Sequence, residues 1–299
     1  MSLLAAIEAG GTKFNCAVGT GPGDIRLSRR IPTTTPSETL RDVVAFFEAA
    51  QEKCGAFAAM GIASFGPVDL DEGSPTYGFI TTTPKSGWQH ADLLGPLRKC
   101  FGVPLGFDTD VNGAALGEHL WGAGQGTDPL VYLTIGTGIG GGALVNGRLL
   151  HGMLHPEMGH IHVPAPCSSA LKPACACPFH TSCLEGYISG PALAKRWGAG
   201  VETFSADHEI WCEFATIMAH GLVNIILTLS PQRIILGGGV MHQMHLFPMI
   251  RSEVVRLLNG YVQTREVLSE LDRYILPPGL GDEAGICGAL ALAADALRR

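Results

Sequence analysis

Glu8-Ala9-Gly10-Gly11-Thr12-Lys13-Phe14 carries a short apolar run (3–9) into a bare glycine turn and out through a returning run (14–18). That is the pattern of a β-hairpin. The same logic returns after Leu130: 131–135 reads as a strand, Gly136-Thr137-Gly138 as a turn, and 140–145 as a second strand. Backbone N–H groups exposed at such a turn form an anion-binding nest, and a threonine hydroxyl adds a donor that reaches phosphate oxygens. Lys13 places a positive charge beside the first turn. A ligand-free hairpin produces this pattern once as readily as a phosphate loop does. Two matching hairpins about 125 residues apart favour phosphate contact, and they predict an internal duplication with two similar domains facing a cleft.

Outward from these turns the chain alternates helices and strands. The stretch 38–53 has helical spacing (Leu40, Val43, Val44, Phe47), with Ser37 as the expected N-cap. Buried strands are expected at 59–64 and 105–107, and a helix at 112–121 that Gly122 and Gly124 end. Long helices at 210–229 and 249–260 flank a strand at 233–236, and the alanine- and leucine-rich stretch 284–297 reads as a final helix.

The chain has 299 residues, 46% of them apolar and 16% charged, enough for a large core and incompatible with disorder. Forty residues are glycine, nearly twice the usual ~7%, with no collagen-like period. A net charge of −7 without a Lys/Arg cluster argues against a nucleic-acid partner. The first residues lack a basic n-region, and no segment reaches the ~18 consecutive apolar residues of a membrane span, so a soluble, cytoplasmic protein without a membrane partner is expected. Cys16, Cys54, Cys100, Cys212 and Cys287 are scattered through apolar stretches and read as reduced, buried residues.

Four constellations carry chemistry. Gly136-x-Gly138-x-x-Gly141 matches the dinucleotide fingerprint in form, but a strand follows it where that motif needs a helix, and the Walker pattern is absent. Gly237-Gly238-Gly239 follows a strand and leads toward a helix, a turn that can lie flat against an adenosine. Phe107-Asp108-Thr109-Asp110-Val111-Asn112 places carboxylates at a strand end, where α/β proteins bind ligands. A hydroxyl attacking phosphorus needs one positioned proton acceptor, and Asp110 suits that role; an N-cap aspartate is the plainer alternative. His160 with Cys177-Pro-Phe-His180-Thr-Ser-Cys183 offers two thiols and two imidazoles, the ligand set of a closed structural zinc site. Cys175 and Cys167 compete for the place of Cys177, whose spacing to His180 and Cys183 makes the most compact knuckle. Glu157 and Glu185 stand beside those ligands, where a metal-fixed loop would aim both at the hydroxyls of a sugar.

In combination these stretches resemble the ROK family of sugar kinases and sugar-responsive repressors, and within it the bacterial fructokinase branch. The likeness runs over essentially the whole chain. It rests on 8–14, Gly61-Ile-Ala-Ser-Phe-Gly-Pro67, Thr82-Thr-Pro-Lys-Ser-Gly-Trp88 and Thr109-Asp-Val-Asn-Gly-Ala-Ala-Leu-Gly-Glu118. It continues through 135–140, His155-Pro-Glu-Met-Gly-His160, Cys177-Pro-Phe-His-Thr-Ser-Cys-Leu-Glu-Gly186 and Ile235-Leu-Gly-Gly-Gly-Val-Met241.

The resemblance implies an α/β actin-like ATPase fold of two ribonuclease-H-like domains around a cleft, with a small zinc-binding loop at 155–185. The first domain would span 1–110, completed by a C-terminal helix at about 285–299, and the second 111–284. Asp110 would be the general base. Gly10, Gly11, Thr12, Lys13, Gly136, Thr137 and Gly138 would hold the phosphates of Mg²⁺-ATP, with Gly237, Gly238, Gly239 and Pro191 along the adenosine. Glu157, His160, Glu185, Gly66, Pro67 and Thr109 would meet the sugar. His160, Cys177, His180 and Cys183 would hold a structural Zn²⁺, with His160 turning its second nitrogen to the substrate.

The chain departs from the broad family at Glu8 and Thr109, where Asp and Asn are usual, and at His180, where the broad family has cysteine; all three are similar to the fructokinase branch. The expected activity is therefore ATP-dependent phosphorylation of fructose at the 6-hydroxyl, in a homodimer, with mannose or glucose as alternative hexoses. A sugar-sensing repressor of the same family would carry an N-terminal helix-turn-helix, for which the first dozen residues leave no room.

Overall fold

The computed structural model describes residues 2–165 and 175–298. Cys167, the alternative ligand named above, lies outside them. In chain order the elements are β1 (Leu4–Ala9), β2 (Lys13–Gly21), β3 (Asp24–Pro32), α1 (Pro36–Cys54), β4 (Ala59–Ser64), α2 (Leu94–Phe101), β5 (Leu105–Thr109) and α3 (Asp110–Trp121). They continue with β6 (Leu130–Ile135), β7 (Ile139–Val145), β8 (Arg148–Leu149), α4 (Leu184–Ile188), α5 (Gly190–Trp197), α6 (Ile210–Leu229) and β9 (Arg233–Gly237). The remainder is α7 (Leu246–Leu258), α8 (Arg265–Leu268), α9 (Leu271–Tyr274), β10 (Ile275–Leu276) and α10 (Ala284–Ala296).

The chain packs as two compact units. The first comprises Met1–Gln125, Leu149–His155 and Gly279–Arg299; the second comprises Gly126–Arg148 and Pro156–Pro278. Each is built on one five-stranded sheet, in the orders β3-β2-β1-β4-β5 and β10-β9-β6-β7-β8. Reading the second order backwards gives the first, with β6 to β10 in the places of β1 to β5. The directions agree as well: β1 pairs antiparallel with β2 and parallel with β4, while β6 pairs antiparallel with β7 and parallel with β9. The repeated glycine hairpin is thus the same pair of strands in two copies of one topology.

In the first unit the period of two along β1 sorts side chains between two cores. Ala5, Ile7 and Ala9 face a large cluster with Phe14, Val43, Phe47, Ile62 and Trp88. Leu4 and Ala6 face a small-residue cluster with Ala59, Ala63, Ala289, Leu290 and Ala293, which seats α10. A Cβ on Gly61 would strike the Ala289 carbonyl oxygen, so α10 lies directly on the β4 backbone. α3 lies equally close to α10, since a Cβ on Gly117 would come 2.9 Å from the Gly288 nitrogen. α3 therefore packs with the first unit, although the sequence places a boundary at 110.

Local chemistry shifts several boundaries. α1 starts earlier than its apolar spacing indicates, because Pro36 occupies the first turn and Thr35, not Ser37, is the N-cap; its hydroxyl accepts from the Glu38 N–H at 3.4 Å. α3 starts at Asp110 with Thr109 as the cap, its hydroxyl accepting from Asn112 N at 3.2 Å. Of the five scattered cysteines, Cys16 and Cys287 are buried and Cys54 is half-buried, but Cys100 and Cys212 are exposed. Both of the latter stand on the outer faces of their helices, where a small side chain is tolerated on either side. α6 is long and apolar enough to cross a membrane by length and composition, yet its apolar face is packed inside the second unit, with Trp211, Phe214, Met218 and Leu222 fully buried.

Candidate functional site

The first unit brings together one glycine turn and the Asp110 turn. In the β1–β2 hairpin Ala9 pairs with Phe14, Gly10 N donates to the Lys13 carbonyl at 3.0 Å, and the Thr33 hydroxyl donates to the Gly10 carbonyl at 2.7 Å. The tip is thereby closed on itself and held from behind by Thr33, the residue after β3. A Cβ on Gly11 would meet nothing within 4 Å, so the outer side of the turn is open to a ligand. Thr12 is exposed and Lys13 half-buried beside it.

At the end of β5, Thr109 takes the capping role, which removes the plainer account of Asp110 as an N-cap. Asp110 is the first helical residue, and its Oδ1 accepts the Val111 N–H at 2.9 Å. A carboxylate at that position is favoured by the positive end of the helix dipole. Gly66 and Pro67, joined by a cis peptide, lie under the His155 ring: Val68 N donates to His155 Nε2 at 3.3 Å, and the Pro67 carbonyl accepts from Thr81 N at 2.8 Å.

The second unit gathers three backbone features. In the β6–β7 hairpin Gly136 N donates to the Gly138 carbonyl at 2.9 Å, with Thr137 exposed at the tip. Gly190 N, in the first turn of α5, donates to the Gly136 carbonyl at 2.8 Å, which docks the Ser189-Gly190-Pro191 turn on that hairpin. Gly238 has φ of +89°, and a Cβ there would strike the backbone of Ile135. The glycine run, hairpin and Pro191 turn thus converge, and Gly239 faces open space.

Glu185 plays a part that sequence spacing does not show. Its Oε2 accepts the Ile139 N–H at 2.8 Å, across 46 positions, so one oxygen braces the second hairpin. Glu157 opens the short 3-10 turn Met158–His160, where its carbonyl accepts from His160 N at 2.9 Å. Burial raises the Glu157 carboxyl above its ordinary range, and the Glu185 charge adds to the shift. The two glutamates therefore share one electrostatic environment.

The four donors His160, Cys177, His180 and Cys183 lie within 4.8 Å of one another. Cys177 Sγ is 3.3 Å from His180 Nδ1 and 3.9 Å from His160 Nδ1, and Cys183 Sγ is 3.8 Å from His160 Nδ1. Bond lengths of about 2.3 Å to sulfur and 2.0–2.1 Å to nitrogen imply donor separations of roughly 3.3–3.8 Å around a tetrahedral zinc. Donor type and number fit such an ion, and the four atoms are close enough to converge on it. Cys175 stands outside the set, its Sγ 3.8 Å from that of Cys183. Burial pushes the Cys183 thiol up to about 12, with Cys175 and Cys177 adding to the shift. Both imidazoles turn Nδ1 inward, so His160 keeps Nε2 for a second partner. Ala176 N to the Gly186 carbonyl (2.8 Å) and Leu184 N to the Ile161 carbonyl (3.0 Å) couple the knuckle to α4, which carries Glu185.

Sequence reasoning missed the bonding of two buried carboxylates, Asp108 and Glu118, around α3. Asp108, seen only as a carboxylate at the strand end, is 2% exposed and is bonded to Asn112 and His151. Glu118, fully buried, accepts from Ala123 N, Gly279 N and Leu280 N. The i, i+4 spacing of Asp108 and Asn112 was a usable signal; the partners of Glu118 and His151 are too distant in sequence to have given one.

Two glycine hairpins in one repeated topology, with a carboxylate at the head of a helix, describe a phosphate-handling α/β protein and fit an actin-like ATPase fold. The sequence model of the ROK family matches residues 4–296, and the chain belongs to that family. It is 44% identical over 295 residues to a fructokinase of Zymomonas mobilis, covering 97% of this chain and 96% of the relative. It is 43% identical over 296 residues to a fructokinase of Pediococcus pentosaceus, covering 99% of each. Among solved structures it is similar to a ROK hexokinase from Thermus thermophilus (TM-score 0.80, 26% identity, 99% of each chain). It is also similar to a ROK glucokinase from Streptomyces griseus in complex with glucose and AMPPNP (TM-score 0.77, 26% identity, 98% of this chain and 99% of that one).

Proposed function

We infer that this chain is an ATP-dependent fructokinase that phosphorylates the 6-hydroxyl of fructose, releasing ADP. The observation that carries the reading is the placement of Asp110 at the first position of α3, in a chain more than 40% identical over nearly its full length to two fructokinases. In the reaction the 6-oxygen forms a bond to the γ-phosphorus, and the bond from that phosphorus to the bridging oxygen of ADP breaks. The proton of the hydroxyl passes to Asp110. One oxygen of that carboxylate accepts the Val111 N–H, which fixes the group at the head of α3.

The residues of the two glycine turns, Gly10, Gly11, Thr12, Lys13, Gly136, Thr137 and Gly138, hold phosphate oxygens. Gly237, Gly238, Gly239 and Pro191 take the adenosine. Glu157, His160, Glu185, Gly66, Pro67 and Thr109 orient the sugar, whose vicinal hydroxyls suit acidic acceptors. Catalysis of this class is largely positioning together with charge stabilisation. Mg²⁺, bound with ATP, supplies charge neutralisation. His160, Cys177, His180 and Cys183 would hold a structural Zn²⁺, which supplies rigidity to the segment that carries Glu157 and to α4. A cytoplasmic homodimer completes the proposal.

A coupled ADP-release assay across fructose, mannose and glucose, scored as kcat/KM, tests it. Fructose is expected to lead the panel. No sugar-dependent ADP release would overturn the kinase reading, and a higher kcat/KM for mannose or glucose would overturn the choice of hexose.

A further inference from the structure

Behind the Asp110 turn lies a group that the proposed reaction does not use. Asp108 Oδ1 accepts from Thr109 N at 2.8 Å and from Asn112 Nδ2 at 2.7 Å, while Asp108 Oδ2 lies 2.8 Å from His151 Nε2. Asn112 N donates to the Thr109 hydroxyl at 3.2 Å. Asp108, Thr109 and Asn112 thus bracket Asp110 on both sides, and all three are at least 97% buried. The proton of His151 can be placed. A carboxylate only accepts, so the 2.8 Å contact of Asp108 Oδ2 with His151 Nε2 needs its hydrogen on the imidazole. Nε2 therefore carries the hydrogen and donates it to Asp108 Oδ2.

We propose that His151 is a positioning residue for Asp110: by holding Asp108, which holds Asn112 and the Thr109 backbone, it fixes the first turn of α3 and the direction of the Asp110 carboxylate. His151 comes from Leu149–His155, remote in sequence from α3, and its side chain is 43% exposed. A half-exposed imidazole adds little to the core, so its contribution is the hydrogen bond and not packing. With Asp108, Glu72, Tyr77 and Asp295 it lines a cavity of about 180 Å³, open enough to admit a small molecule beside the pair. Angular control of this kind matters because a displacement of about 1 Å in a reacting group costs on the order of a hundredfold in rate.

The inference rests on Asp110 as the base, and the test separates the two. Fructose and ATP kinetics and melting temperature are measured for His151→Leu, His151→Gln, His151→Gly with and without imidazole, and Asp110→Asn. His151→Leu is expected to lower kcat by about ten- to a hundredfold, with KM for both substrates within about twofold. His151→Gln, whose amide can reach the Nε2 position, should keep kcat within about threefold of wild type, and imidazole should raise the kcat of His151→Gly several-fold. The melting temperature should move by no more than about 2 °C.

If kcat of His151→Leu stays within twofold of wild type while Asp110→Asn is inactive, the positioning role is refuted and the base stands. A loss that neither glutamine nor imidazole restores makes His151 structural and refutes the role as well. If Asp110→Asn itself retains turnover within tenfold, the base assignment fails first. Should His151→Leu fail to fold, the glutamine and glycine variants carry the same comparison.

Discussion

The Ile139 N–H donates to Glu185 Oε2 at 2.8 Å, so the second glycine hairpin is tied to the helix that leaves the Cys/His knuckle. The family resemblance and its place beside the metal ligands assigned Glu185 to the sugar. In the structure the same carboxylate also holds the backbone of the second glycine turn, which the proposal assigns to phosphate, so loosening it should be felt by both substrates.

Glu185→Ala is accordingly expected to raise KM for ATP as well as for fructose. A buried N–H left without its acceptor costs about 1–3 kcal/mol, roughly five- to 150-fold. Glu185→Gln keeps an oxygen for Ile139 and should spare the ATP KM while weakening fructose. Initial-rate kinetics decide between these patterns, and an unchanged ATP KM in the alanine variant would disconnect Glu185 from the phosphate turn.

Asp110→Asn should fold, bind fructose and lose kcat by about three to four orders of magnitude, the upper range for removing a general base. Calorimetric fructose binding and steady-state turnover provide the two readouts. Turnover within tenfold of wild type would take Asp110 out of the role.

Removing the metal should lower stability together with activity, because binding free energy at a closed structural site is folding free energy. Chelation or Cys177→Ser is expected to reduce the melting temperature and fructose turnover together, whereas Cys175→Ser should change neither by much. Metal analysis of the purified protein should find about one zinc per chain, as one four-donor set requires; none would refute the assignment.

Glu157 gives a pH dependence whose sign follows from its raised carboxyl. In the folded chain it holds its proton to a higher pH than in the unfolded chain, so folding favours the protonated form. Its effect on stability is absent below the ordinary carboxylate range. It grows more unfavourable as pH rises from there through the raised value, then stays constant. Glu157→Gln should therefore melt higher than wild type at neutral pH, and the gain should shrink to nothing as the solution is acidified. The same variant should bind fructose less well. Paired melting curves from pH 4 to 8, a window set by the ordinary carboxylate value near 4.3, make the comparison.

Gly288 lies in the contact between α10 and α3, where a Cβ would strike the Gly113 backbone. Gly288→Val should cost roughly 1–3 kcal/mol through overpacking. Denaturant unfolding measures it, and a variant as stable as wild type would mean that the helices can separate freely.

Much of the fold was legible because its decisive features are local. Each hairpin is written in a few consecutive residues, and its recurrence announced the second sheet. β3 escaped notice because Arg29 interrupts the alternation of Ile25, Leu27 and Ile31 on an otherwise charged edge strand. The true cap of α1 was hidden by a run of hydroxyl residues in which only the position of Pro36 discriminates. At the site, the residue types and the four-donor set could be read from spacing, since Cys177, His180 and Cys183 are near neighbours. Bonds that cross the sequence, Glu185 to Ile139 and Asp108 to His151, depend on which strands the topology places side by side. No local pattern encodes that.

The position of α10 has a consequence for how this protein is made. Its residues follow those of the whole second unit, yet they cover the sheet that begins with β1. A nascent chain therefore emerges with the alanine-rich side of β1, β4 and β5 uncovered, and it stays uncovered until the second unit has been translated. Cotranslational folding can finish the later half before the earlier one, and chaperone demand should concentrate on that waiting surface.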